Sequence, residues 1–289
     1  MQKIISLMSN RIGIMQGRLS PAIDGKIQDF PSKTWKEEFQ LAQEIGFEVI
    51  EWVIVADSLD KNPVFNISGR KEIKSLQAEF NIDVQSVCCD CFMDMPLNSS
   101  EKAIREKAKS ILLDLINVSP ELRIKFIEIP LVGNAEIKTE GDKLLLKELF
   151  QEIIPILEKL DLFILLELSL NPFGINDFLT DINSKRILIN YDTGNSAYWG
   201  YKPNEEIPLY GKYIANVHIK DCTPRDYTVP LGTGNVDFNY VFKLLKDASY
   251  NGDFILQAAR GKNDYLTAEN FYKFTKLLTD QYFNGYKLI

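Results

Sequence analysis

Short apolar runs recur along this chain, separated by stretches with helical signals, and four of them end in a side chain bearing oxygen or nitrogen. Leu165-Leu166-Glu167, Leu188-Ile189-Asn190-Tyr191-Asp192, Ile214-Ala215-Asn216-Val217-His218 and Phe254-Ile255-Leu256-Gln257 space their terminal residues at intervals of 25, 26 and 39. Runs that are continuously apolar, rather than alternating, suit parallel strands buried on both faces. Strands that alternate with helices imply right-handed crossovers, which narrows the topology to a closed barrel or an open doubly wound sheet.

Eight strands are expected. They cover residues 11–14, 49–55, 84–88, 125–129, 162–168, 186–192, 213–219 and 253–257. Between them, helices are predicted near Thr34, whose hydroxyl has Glu37 three residues on as a capping partner, and over 69–80, 99–117, 142–159, 174–181, 237–248 and 267–280. Gly46 ends the first helix, Asp237 caps the seventh, and Pro208 shortens or breaks the sixth. Residues 221–236 read as a long loop, with Gly232-Thr233-Gly234 as a turn into the Asp237 cap. A doubly wound sheet normally carries a glycine fingerprint after its first strand, and Gly13 and Gly17 do not match it. No linker divides the chain. The expectation is α/β, one (β/α)8 TIM barrel spanning residues 1–289.

Hydrophobic residues make up 45% of the chain, enough to fill such a core. No run approaches the roughly 18 apolar residues of a membrane span, and the first residues lack a basic-then-apolar signal. Three of the four cysteines (Cys88, Cys89, Cys91 and Cys222) lie too close together for a disulfide framework, so reduced cytoplasmic thiols are expected. Cys88, Cys89 and Cys91 also lack structural-zinc spacing and are expected to pack around strand three. A net charge of -7 argues against a nucleic-acid surface. The reading is a soluble enzyme with no nucleic-acid or membrane partner; association into a homo-oligomer stays open.

Barrel chemistry collects where strands end, because the loops there converge on one cavity. Glu167, Asp192, His218 and Gln257 fall at four consecutive strand ends, and neighbouring strands lie about 4.8 Å apart. Two carboxylates, the chain's only imidazole and one amide oxygen suit a single divalent ion: Mn, Mg, Co or Zn.

Several segments carry a family likeness: Arg11-Ile-Gly-Ile-Met-Gln-Gly-Arg-Leu-Ser20, Ile50-Glu51-Trp52, Phe92-Met-Asp-Met-Pro-Leu97, Asn190-Tyr-Asp-Thr-Gly-Asn195, Val217-His-Ile-Lys-Asp221, Pro230-Leu-Gly-Thr-Gly-Asn-Val-Asp-Phe238 and Phe254-Ile-Leu-Gln-Ala-Ala-Arg260. In these the chain resembles the sugar-phosphate isomerase/epimerase group of xylose-isomerase-like TIM barrels, from first strand to last. The resemblance implies a carbohydrate substrate and an ion held by Glu, Asp, His and Glu. In such ketose 3-epimerases, two of the acids face opposite sides of a substrate carbon. One removes a proton to give a metal-stabilised enediolate and the other returns one. Glu167, Asp192 and His218 match that set, and Gln257 departs from it.

An amide oxygen can bind an ion but cannot act as a base near neutral pH. With one carboxylate fewer the ion is held less tightly and acts as a stronger Lewis acid. A second proton carrier is then needed, with Glu128, Glu51 and Lys220 as candidates; alternatively Glu167 works alone as in aldose-ketose isomerisation. Glu51, Gln16, Arg18 and Arg260 are read as substrate-binding, and Trp52 and Trp199 as sugar-facing walls or core. Competing readings are a non-catalytic sugar-binding barrel with a degraded metal site and a metal-dependent dehydratase or aldolase. The family's apurinic endonuclease branch needs several histidines.

Overall fold

The computed structural model describes residues 10–284; the expectations about residues 1–9 lie outside them. Eight parallel strands close into a ring: β1 Ile12–Met15, β2 Val49–Val53, β3 Ser86–Cys88, β4 Phe126–Leu131, β5 Phe163–Leu168, β6 Ile187–Asp192, β7 Ile214–Ile219 and β8 Asp253–Leu256. Neighbours in sequence pair throughout. β1 closes on β8 through Ile12↔Phe254, Gly13↔Ile255 and Ile14↔Leu256.

Seven principal helices link the strands and an eighth follows the last: α1 Glu37–Ile45, α2 Ile67–Phe80, α3 Lys102–Leu122, α4 Glu140–Leu160, α5 Pro172–Ile182, α6 Pro203–Tyr210, α7 Phe238–Asp247 and α8 Asp264–Tyr282. Sequence reading misplaced several ends. Thr34 does not cap α1; its hydroxyl donates to Ser20 Oγ at 2.8 Å, and the helix opens three residues later with Glu37 and Glu38 in its first turn. α3 runs past residue 117 because Pro120 removes a single donor, while Arg123 N and Ile124 N close the helix on Pro120 O and Ser119 O. α4 opens with a capping box between Thr139 and Asp142 that the sequence reading missed. Asp237 does cap α7, accepting from Tyr240 N at 3.0 Å, and α6 is short with Pro208 inside it. Short helices at Cys91–Asp94 and Thr193–Trp199, and a small hairpin of Asp221–Cys222 with Thr228–Val229, extend the rim.

The strands are buried on both faces. Phe126, Phe163, Leu165, Leu188 and Ala215 form a small cluster apart from the main core. They alternate with Ile127, Ile164, Ile187 and Ile189, which pack in the main core, so the small cluster plugs the barrel interior. Above that plug the inward positions become polar. One irregularity matters here: Ile189 pairs with Ile214, but Asn190 pairs with Asn216, so β7 carries one extra residue. That bulge sets Asn216 beside Asn190 and His218 beside Asp192.

Candidate active site

Period-two alternation delivers the site's residues from the strands. Asn190 and Asp192 lie two apart on β6, as do Asn216 and His218 on β7, so each pair shares the inward face. Glu51 on β2, Glu128 on β4 and His218 are all 0% exposed, while Glu167 at 6% and Asp192 at 4% sit a step nearer the mouth. One ligand atom from each of Glu167, Asp192 and His218 lies within 4.8 Å of the others, and the same holds for Glu51, Glu128 and His218.

His218 is the hub. Its Nε2 lies 2.5 Å from Glu51 Oε1 and 3.2 Å from Glu128 Oε2, and its Nδ1 lies 3.3 Å from Glu167 Oε2. Nδ1 is buried with no hydrogen-bond partner, and so is Glu128 Oε2. Asn190 Nδ2 donates to Glu128 Oε1 at 3.1 Å and Glu167 Oε2 at 3.2 Å. Asn195 Nδ2 donates to Glu167 Oε1 at 2.5 Å. Asn216 Nδ2 donates to Glu51 Oε2 and Asn190 Oδ1, both at 3.1 Å.

These environments push the acids apart. Desolvation raises Glu167, yet the neighbouring imidazole of His218, helped by Lys220, outweighs it and holds the carboxyl down at about 2. Desolvation drives Glu128 well above the usual carboxylate range, with the charges of Glu51 and Glu167 adding to it against His218. The two therefore favour a neutral acid beside an ionised one. Burial alone would lower His218, but Glu128 and Glu51 raise it well above its ordinary value. Lys220 is desolvated yet raised by Asp192 and Glu167; its Nζ lies 3.3 Å from Asp192 Oδ2 and 3.1 Å from Asn195 Oδ1. Gly194 makes room for it, since a Cβ there would meet Lys220 Cγ at 2.5 Å.

A cavity of about 760 Å³ opens over this cluster, within the usual range for small-molecule sites. Glu128, Glu167, Lys220, Gln257 and Arg18 line it, with Trp199 on one wall. Gln257 lies just past β8, and its Oε1 is buried without a hydrogen-bond partner. The donor set fits a divalent cation: two carboxylates, an unpartnered imidazole nitrogen and an unpartnered amide oxygen.

Of the residues read as substrate-binding, Arg18 lines the cavity, whereas Glu51, Gln16 and Arg260 do not. Glu51 lies beneath His218 and does not line the cavity. Gln16 is buried between β1 and β2, with Oε1 accepting from Val53 N at 3.1 Å. Arg18 reaches the cavity, donating to Ile27 O and to Gln28 Oε1 at 3.1 Å; burial and neighbouring Arg260 lower it to about 10, so it stays cationic. Arg260 is occupied by the carbonyls of Gly17, Ser20 and Ile27 and by Asp264, and does not line this cavity. Trp52 is fully buried core, and all four cysteines are free and buried. Sequence reasoning missed Asn190, Asn195 and Asn216. The signal was available: two lie two residues before a named ligand, and Asn195 stands three after Asp192, whose carboxylate accepts its N–H at 2.8 Å.

The pattern of the xylose isomerase-like TIM barrels matches residues 39–272. The chain belongs to that family. A provisionally named L-ribulose-5-phosphate 3-epimerase of Haemophilus influenzae is 29% identical over 249 residues, covering 80% of this chain and 86% of that protein. The L-ribulose-5-phosphate 3-epimerase of Escherichia coli K12 is 24% identical over 234 residues, covering 77% and 81%. Among solved structures, an L-ribulose 3-epimerase superposes with a TM-score of 0.75 at 17% identity, covering 95% of each chain. A D-allulose 3-epimerase from Methylomonas sp. gives a TM-score of 0.75 at 17% identity, covering 94% and 98%. At these identities the two structural likenesses speak for the fold. Among the described residues no helix is long and apolar enough to cross a membrane.

Proposed function

We propose that the protein is a divalent-metal-dependent sugar epimerase or isomerase that moves a proton at the carbon next to a ketose carbonyl, with a ketopentose phosphate as the favoured substrate class. The carrying observation is the convergence of Glu167, Asp192 and His218 under the cavity that also receives Gln257 and Glu128. The names borne by the sequence relatives supply the substrate class.

Bound at Glu167, Asp192, His218 and Gln257, the ion would supply Lewis-acid polarisation of the substrate's carbonyl and adjacent hydroxyl oxygens. Glu167 is the base: it stays ionised, and Asn190 and Asn195 fix both its oxygens. Glu128 is the acid: it is held neutral, lines the cavity and has one oxygen that makes no hydrogen bond. Opposed environments of this kind separate acid and base roles within a pair of carboxyls. Lys220 offsets the negative charge that builds up as the proton leaves, and Arg18 meets the anionic or hydroxyl-rich end of the sugar.

The test is incubation with ketopentoses and their 5-phosphates in D2O, with Mn, Mg, Co or Zn supplied, following deuterium entry and the epimer ratio by NMR. Exchange with inversion next to the carbonyl is expected. No exchange with any ketose sinks the proposal. Gln257 favours a second reading, a sugar-binding barrel without turnover, whose mark would be ligand binding with no exchange.

A further inference from the structure

We propose that Glu51 is a positioning residue, which fixes the orientation and donor atom of His218 and supplies the anionic charge that Gln257 withholds from the ligand set. This rests on the metal-site reading above. Glu51 does not line the cavity, so it acts through His218.

The geometry is one-sided. Glu51 Oε1 lies 2.5 Å from His218 Nε2, and both residues are fully buried. The other oxygen accepts from Asn216 Nδ2 at 3.1 Å, and that amide also reaches Asn190 Oδ1, so the carboxylate cannot swing aside. Its own backbone is pinned by the pairing of Met15 with Glu51 and by Gln16 N donating to Glu51 O at 2.9 Å. A ring turned over about its Cβ–Cγ bond would set a carbon against the carboxylate, so one ring orientation is selected. In it Nε2 is the donor toward Glu51, and Nδ1, which has no hydrogen-bond partner, faces Glu167.

A carboxylate behind a ligating imidazole raises its basicity and fixes its tautomer. Here that effect has added weight, because the fourth ligand position is a neutral amide. The negative charge absent at Gln257 stands instead one ring away, at Glu51.

His218 is the chain's only histidine, so selective 15N-histidine labelling gives a single imidazole spectrum. In wild-type protein loaded with Zn2+ as a diamagnetic probe, Nε2 is expected to keep its proton while Nδ1 shifts on metal addition. Glu51→Gln is expected to weaken Zn2+ binding about 10- to 100-fold in competition with a chromophoric chelator. Gln257→Glu added to Glu51→Gln is expected to recover most of that loss. A proton on Nδ1 in the loaded wild type, or unchanged affinity in folded Glu51→Gln, overturns the inference and leaves the proposed function standing. Failure of Gln257→Glu to rescue overturns the charge argument. No Zn2+-induced change in the wild type removes both. Should Glu51→Gln not fold, the wild-type nitrogen spectrum still decides.

Discussion

Glu38 and Arg260 hold the same loop, one through its N–H groups and the other through its carbonyls. The Glu38 carboxylate accepts from Gly17 N at 3.0 Å and Leu19 N at 3.2 Å, while Arg260 donates to Gly17 O at 2.7 Å and Ser20 O at 2.9 Å. Gly17 has a φ of +88°, and a Cβ there would meet Asp29 O at 2.6 Å, so the turn demands glycine. Between the two grips the loop carries Arg18 into the cavity.

Arg260→Ala is therefore expected to act through the loop. Losing charge-assisted bonds to several carbonyls is expected to lower unfolding stability by about 2 kcal/mol in urea titrations. KM for the sugar should rise more than kcat falls, since Arg18 loses its placement. An equal fall in kcat with KM unchanged would assign Arg260 a role at the reacting atoms instead.

Burial pushes Glu38 up to about 7, against the backbone donors of Gly17 and Leu19, the Ser20 hydroxyl and the charge of Arg260. Its folded value lies above the unfolded carboxylate value of 4.5. The stability it contributes is thus fully present below about pH 4.5 and lost as pH rises through 7. Melting curves from pH 5 to 8 should fall more steeply for wild type than for Glu38→Gln. Parallel curves would show that Glu38 does not titrate there.

Glu167→Gln should abolish solvent-deuterium exchange while circular dichroism and melting stay close to wild type. The amide keeps an acceptor and the shape, but cannot take a proton near neutral pH.

Glu128→Gln separates the two halves of the reaction. With Glu167 intact, deuterium should still enter on one face of the substrate, while the epimer ratio no longer changes. If inversion persists, the second proton comes from another group, and Lys220→Met is the next variant to measure.

Removing bound ion with a chelator should lower the melting temperature, and excess Mn2+ should restore it. At about 100 times Kd, mass action stabilises by about 2.7 kcal/mol, or roughly 5 °C for a chain of this size. A melting temperature insensitive to chelator and ion alike would argue against the site.

The barrel and the convergence of Glu167, Asp192 and His218 were legible because each rests on a local signal: an apolar run that stops at a polar residue. Glu51 interrupts its apolar run at mid-strand instead of ending it, and unlike Glu167 it does not line the cavity. A mid-strand residue sits deeper in the barrel than one at the strand's end. The hold of Arg260 on the loop was not legible because its acceptors are backbone carbonyls 233 to 243 residues away, which no side-chain pattern announces. The asparagines were passed over because amides next to charged side chains look like ordinary strand-end polar residues.

The extra residue in β7 also bears on how this chain reaches its fold. β6 and β7 have an alternative alignment in which the Ile189↔Ile214 register simply continues, and its ladder would contain no interruption. In that alignment Asn190 would face Ala215, and His218 would stand one place beyond Asp192. Burying four carboxyls without the imidazole beside them is unfavourable, so the polar cluster penalises the smoother alignment. The groups that prepare the site thereby act as a proofreading device for strand pairing.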